Sequence, residues 1–174
     1  TSLNGIPLLL VKSGWSKQGG FELYLMDRSK GDELWEIVKE AGKPWDIGPG
    51  YPNTTERIES GLLSWGGDTD DDTNPYEVRL GKYVDLNVPD YVIGIEALRQ
   101  INKEGPKRHQ LGIVLDGGEQ FKSHELWYDI LSNEEKVGDM TCGIWSNRLK
   151  KNIGLCLVSV KISPGDEVYL SKEN

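Results

Sequence analysis

The chain has 174 residues, 20 basic against 28 acidic side chains and a formal net charge of -8. Its hydrophobic share of 37% is enough to close a core and excludes wholesale disorder. The acid excess speaks against a broad nucleic-acid surface, which needs clustered Lys and Arg to neutralise phosphates.

The opening residues, Thr1 to Gly5, hold neither an initiator Met nor a basic segment followed by an apolar one, so the start reads as a cut or processed edge. A strand is expected from Ile6 to Lys12. This run contains Pro7 and is far shorter than the ~20 apolar residues that span a bilayer, so no membrane partner is expected. A loop with three glycines follows, Ser13 to Gly20, then a second strand, Phe21 to Met26. The two-residue period of a strand puts Phe21, Leu23 and Leu25 on one face, expected to pack, and Glu22 and Tyr24 on the other. A helix is expected from Asp32 to Ala41, because Leu34, Ile37, Val38 and Ala41 form one stripe. Gly42 is expected just past its end, with Pro44 confirming the stop. Asn53 or Thr54 caps a short helix with Arg57, Ile58 and Glu59, ended by Gly61.

The run Asp68-Thr69-Asp70-Asp71-Asp72 reads as a solvated turn; it lacks the glycine and closing glutamate of a calcium loop. Another helix is expected from Ile95 to Lys103, closed by Gly105-Pro106. From Arg108 onward the texture changes to short apolar or alternating runs: Gln110 to Leu115, Glu125 to Leu131, Lys136 to Ile144, Gly154 to Lys161 and Glu167 to Leu170. Turn residues separate them, as in a small antiparallel sandwich or barrel. The fold class is therefore α+β, with a boundary in residues 85–107.

Few constellations offer chemistry. His109 and His124 are scattered and pair with no cysteine at ligand spacing, so no metal site is expected and both read as structural. Cys142 and Cys156 lie among apolar residues without a CxxC and read as buried free thiols in a reducing, cytoplasmic setting. The group Arg148, Lys150 and Lys151 reads as a solvated hairpin tip, and Trp35, Trp127 and Trp145 as structural. No G-x-S-x-G, P-loop or G-x-G-x-x-G occurs. The strongest local group is Trp15, Glu22 and Tyr24 around the glycine-rich hairpin. An indole can stack on a flat heterocycle, and a carboxylate can accept two parallel hydrogen bonds from an amidine-like N–H pair, such as that of a pterin or guanine. The same spacing also suits a solvated glutamate on an open strand face.

The stretch Val11-Lys12-Ser13-Gly14-Trp15-Ser16-Lys17-Gln18-Gly19-Gly20-Phe21-Glu22-Leu23-Tyr24 resembles the A-R-T-G-Y-T-G-E-D-G-F-E-I-Y segment of the folate-dependent aminomethyltransferases, the glycine cleavage T-protein family. The likeness continues in register. Arg57 to Leu62 resembles R-L-E-A-G-L, Asp68 to Pro75 with Glu77 an acidic turn and T-T-P-x-E, Ile93 to Leu98 I-G-R-E-A-L, and Lys151 to Leu155 part of G-K-N-I-G-L-A. The resemblance implies that residues 1–87 are the second half of a ferredoxin-like folate-binding domain, 88–107 a connecting helix and linker, and 108–174 a C-terminal Greek-key β-barrel.

It further implies tetrahydrofolate as cosubstrate. Glu22 matches the pterin-binding glutamate and Trp15 an aromatic near the pterin. Tyr24 neighbours Glu22, and Lys122 of Phe121-Lys122-Ser123-His124 stands where an arginine faces the polar tail of the folate. Arg57 and Glu59 are regarded as a structural pair. Three features depart from the aminomethyltransferase pattern: Asn53 in Tyr51-Pro52-Asn53-Thr54 replaces a folate-contacting arginine, Lys82 replaces a tryptophan, and the loop reads Trp15-Ser16-Lys17-Gln18-Gly19-Gly20 rather than Y-T-G-E-D-G. These departures resemble a demethylating branch, which moves a methyl group from the sulfonium of dimethylsulfoniopropionate to tetrahydrofolate. Aminomethyl transfer from a lipoyl carrier, and a non-catalytic folate-binding module of the kind that carries a reactive cysteine motif, are the alternatives. Family members are about twice this length, so part of the active site is expected from an N-terminal half.

Overall fold

The computed structural model describes residues 1–14, 19–50, 53–122 and 126–172. The chain divides into two compact units, Thr1–Leu62 and Leu63–Asn174.

The first unit is a three-stranded antiparallel sheet with a helix. Strands β1 (Ser2–Leu3), β2 (Ile6–Val11) and β3 (Glu22–Leu25) lie in that order. Leu8 pairs with Leu25, Leu9 with Tyr24, Leu10 with Leu23 and Val11 with Glu22. Helix α1 (Gly31–Gly42) presents Leu34 to the sheet, and Ile6, Leu8 and Leu34 form a buried core flanked by Leu3, Leu25, Ile37 and Val38. The stripe read from the sequence thus packs through its first three members, while Ala41 is exposed. The apolar face of β3 is covered only at Leu25. Phe21 stays 65% exposed and Leu23 38%, because the core sits over Ile6 and Leu8, at the other end of the β2–β3 pairing.

Gly42 also differs from expectation. It keeps a right-handed conformation (φ -85°) as the last residue of α1, and a 3-10 turn, Lys43–Trp45, carries Pro44 inside it. The left-handed residue is Asp46 (φ 54°). What position 42 demands is space: a Cβ there would lie 2.0 Å from Ile47 Cγ2. Helix α2 (Thr54–Glu59) is capped by Asn53, whose Oδ1 accepts from the Thr55 and Glu56 N–H groups at 2.8 and 3.4 Å. Gly61 follows with φ 65°, and the buried Arg57 donates from Nη1 to the Leu62 carbonyl at 2.9 Å.

The second unit contains helix α3 (Ile95–Glu104), closed by Gly105 with a positive φ of 83°, and five antiparallel strands: β4 (Arg108–Leu115), β5 (Tyr128–Ser132), β6 (Glu135–Ser146), β7 (Lys151–Ser159) and β8 (Tyr169–Ser171). Their spatial order is β4-β7-β6-β5-β8. Strands β5, β6 and β7 form a meander, and β4 reaches across by a long connection to lie beside β7, which is a Greek key. Both residues of the tight turn between β5 and β6, Asn133 and Glu134, have positive φ, as a two-residue hairpin matched to strand twist requires. The β5 strand starts at Tyr128, later than expected. The preceding Trp127, expected within a strand-forming run, lies before β5 with φ 56° and is half exposed. Ile130, Met140, Cys156 and Val158 form the core. Residues of both edge strands, β4 and β8, line one cavity of about 650 Å³ with Ile130, Cys156 and Val158, so the sheet curls until its edges face each other.

Two carboxylates tie the 63–107 segment to this sheet. Glu77 is buried; it accepts from Arg108 Nε at 2.9 Å and Nη2 at 3.2 Å, while its carbonyl accepts from the Gln110 N–H at 2.7 Å. Asp68 corrects the solvated-turn reading at the first residue of the acidic run. It is buried and accepts from the Ser64 N–H at 2.8 Å, Thr141 Oγ1 at 2.6 Å and Cys142 Sγ at 3.0 Å. A register shift in β6 at Thr141 explains how two consecutive side chains reach one carboxylate. In a regular strand neighbours point to opposite faces; a bulge turns them toward the same side. Asp70 to Asp72 form the expected exposed turn, in which Asp70 Oδ1 accepts from the Asp72 N–H and the Thr73 hydroxyl. Cys142 and Cys156 are buried free thiols, and His109 Nε2 bonds the Ile162 carbonyl at 2.8 Å.

Candidate functional site

The parity of the β2–β3 pairing builds the site. Val11 opposes Glu22 and Leu9 opposes Tyr24, so these four side chains share the sheet face opposite the α1 core. That face is open: Leu9, Glu22 and Tyr24 are all exposed. The hairpin closes through Gly19 (φ 88°) and Gly20 (φ 149°), conformations that side-chain-bearing residues rarely adopt. Gly14 serves a different need, since a Cβ there would sit 3.1 Å from the Gly19 carbonyl oxygen.

Glu22 is the centre of this face. Its Oε1 accepts from the Ser13 hydroxyl, and its Oε2 accepts from the Tyr24 phenol at 2.5 Å. The Ser13 hydrogen bond, and after it that of Tyr24, hold the Glu22 carboxyl below its ordinary range. The hydrogen bond to Glu22, then its charge, pushes the Tyr24 phenol up. Near neutral pH the pair is therefore an ionised carboxylate and a protonated phenol. A carboxylate oxygen offers two acceptor sites. With one hydroxyl on each, every oxygen keeps one acceptor site, so the carboxylate retains capacity for a ligand edge with two N–H groups.

The structure thus brings together two of the residues expected from the sequence, Glu22 and Tyr24, and adds Ser13, which the sequence reading passes over. Its signal is the same parity: Ser13 lies two residues beyond Val11, the partner of Glu22. Trp15 lies outside the described residues. Lys122 belongs to the second unit, where it is exposed beside Phe121. The loop leading to it is clamped by Asn152, a buried residue on β7 that accepts from the Phe121 N–H at 2.9 Å and donates to the Glu119 carbonyl at 2.8 Å. Asn53 spends its side-chain oxygen on capping α2, and Lys82 lies over the Tyr83 ring at 4.9 Å. Among the described residues no group of three or more His, Cys, Asp or Glu side chains could hold a metal ion, and no helix is long and apolar enough to cross a membrane.

Comparison with known proteins matches residues 1–88 to the GCVT N-terminal domain and residues 108–174 to the glycine cleavage T-protein C-terminal barrel domain. Dimethylsulfoniopropionate demethylase from Ruegeria pomeroyi is 38% identical over 157 residues, covering 90% of this chain and 42% of that protein. The aminomethyltransferase of Caldanaerobacter subterraneus is 33% identical over 159 residues, covering 90% of this chain and 41% of that protein. That of Thermoanaerobacter sp. is 33% identical over 174 residues, with 98% and 46% covered. The chain therefore spans less than half the length of these relatives. A crystal structure of the glycine cleavage system aminomethyltransferase T from Bartonella henselae shares the fold, with a TM-score of 0.76 at 24% identity over 92% of this chain and 44% of that one.

Proposed function

Because the chain belongs to the glycine cleavage T-protein family, we propose that it carries the pterin-binding edge of a cytoplasmic, tetrahydrofolate-dependent methyltransferase. The methyl donor in this reading is the sulfonium of dimethylsulfoniopropionate. Tetrahydrofolate N5 attacks a methyl carbon, the carbon–sulfur bond breaks with its electron pair going to sulfur, and N5 loses its proton. The products are methylthiopropionate and 5-methyltetrahydrofolate. A sulfonium is an activated leaving group and N5 a neutral nucleophile, so the protein has to hold the two in line and exclude water. Residues 1–87 belong, in this reading, to the folate-binding domain, 88–107 to its connector and 108–174 to the barrel. An N-terminal half supplies the remainder of the substrate pocket.

The observation that carries the folate assignment is the ionised Glu22 carboxylate on an open sheet face, each oxygen holding one hydroxyl and keeping one acceptor site. The residues fit the 2-amino and ring N–H pair of a pterin. Tyr24 and Trp15 serve as walls, and Lys122 as the partner of the anionic tail. The 38% identity to the demethylase, and Asn53 and Lys82 as departures from the aminomethyltransferase pattern, support the sulfonium as donor over aminomethyl transfer.

In the full-length enzyme, Glu22→Ala is expected to weaken tetrahydrofolate binding by about ten-fold or more, as loss of a charge-assisted two-point contact does. An unchanged titration overturns the folate site. The donor is read from products. Methylthiopropionate formed from dimethylsulfoniopropionate supports the proposal, whereas methylenetetrahydrofolate formed with the glycine cleavage partners replaces it with aminomethyl transfer. Folate binding without either turnover leaves a non-catalytic module.

A further inference from the structure

We propose that Ser13 and Tyr24 are positioning residues, whose two hydroxyls fix the Glu22 carboxylate for recognition of a planar ligand edge with two N–H donors. The inference rests on the folate reading above and adds that the two hydroxyls act through the Glu22 carboxylate, separately from the role of the Tyr24 ring as a wall. An exposed glutamate on a strand turns freely about its side-chain bonds, and a bidentate contact requires one orientation of the carboxylate plane. Here Oε1 is held by the Ser13 hydroxyl and Oε2 by the Tyr24 phenol. The two tethers come from different strands of the hairpin. Tyr24 lies two residues along β3 on the same face, while Ser13 lies just beyond the end of β2, where a Cβ on Gly20 would approach its carbonyl oxygen to 3.2 Å. The Ser13 tether therefore depends on the hairpin register that pairs Val11 with Glu22, whereas the Tyr24 tether is set within β3 itself. Each hydroxyl spends one acceptor site of its oxygen and leaves one, and two contacts on different oxygens restrain rotation of the carboxylate before a ligand arrives.

The test uses the full-length enzyme and tetrahydrofolate as probe. Ser13→Ala and Tyr24→Phe are each expected to raise its Kd about three- to ten-fold while leaving kcat within about two-fold, because the lost contact preorganises binding rather than chemistry. Ser13→Thr, which keeps the hydroxyl, is expected to retain wild-type affinity. Added to Glu22→Ala, Ser13→Ala is expected to change Kd no further, since its effect runs through that carboxylate. Wild-type affinity in both hydroxyl-deletion variants, or a full additional loss in the Glu22→Ala background, overturns the positioning role and leaves the Glu22 assignment standing. A Glu22→Ala variant that binds normally overturns both.

Discussion

Cys156 lies in the core of the five-stranded sheet, where its Sγ donates to the Leu111 carbonyl at 3.4 Å and burial pushes its thiol up to about 11. An unfolded cysteine titrates near 8.5. The native chain thus holds a proton that the unfolded chain releases between these values. The resulting stabilisation is fully present below about pH 8.5 and lost as pH rises toward 11. At pH 8 only about one thiol in a thousand is thiolate, the nucleophilic form. Iodoacetamide is therefore expected to leave Cys156 unmodified in the native protein and to label it after unfolding in urea. Labelling of the native protein at the rate of a free thiol, read by mass spectrometry, contradicts this. Glu22 shows the opposite regime: it is exposed, and hydroxyl donors rather than burial set its charge. One residue type in an alternating strand sufficed to suggest it, whereas Ser13 needed the pairing register.

At the scale of elements, caps and turns were legible because their chemistry is local. Asn53 stands directly before α2 and takes the two N–H groups that the first turn cannot satisfy itself. Replacing it with Ala is expected to cost about 1 kcal/mol, while Asn53→Asp retains stability; urea unfolding of the three proteins checks both. Gly42 was misread, and the run containing Trp127 drawn too long, for reasons equally physical. The glycine answers to Ile47, five residues on, and the tryptophan to the point at which β5 begins pairing with β6. A helix-terminal glycine looks the same in sequence whether it provides a left-handed turn or room for a neighbour.

Within the second unit, Asp68 and Glu77 decide how the 63–107 segment is held. Removing the Asp68 carboxylate leaves the buried Thr141 hydroxyl and the Ser64 N–H without this acceptor, a loss of about 1–3 kcal/mol. Asp68→Ala is therefore expected to reduce amide-exchange protection around residues 64–73 more than in the centre of β7; uniform loss across both shows that Asp68 does not anchor the segment locally. Across the molecule, β1 was not foreseen, while the sequence alone determined the order of strands and long helices from β2 onward, the family, and the carboxylate beside a phenol. Each of these follows from period, turn chemistry or motif order along the chain. Tertiary structure alone decided that the first residue of the acidic run is buried, that a bulge turns Thr141 and Cys142 onto it, that Phe21 and Leu23 stay uncovered, and that Ser13 holds Glu22. Those depend on contacts between residues distant in the chain or paired across strands, and a one-residue change in register alters which side chains meet.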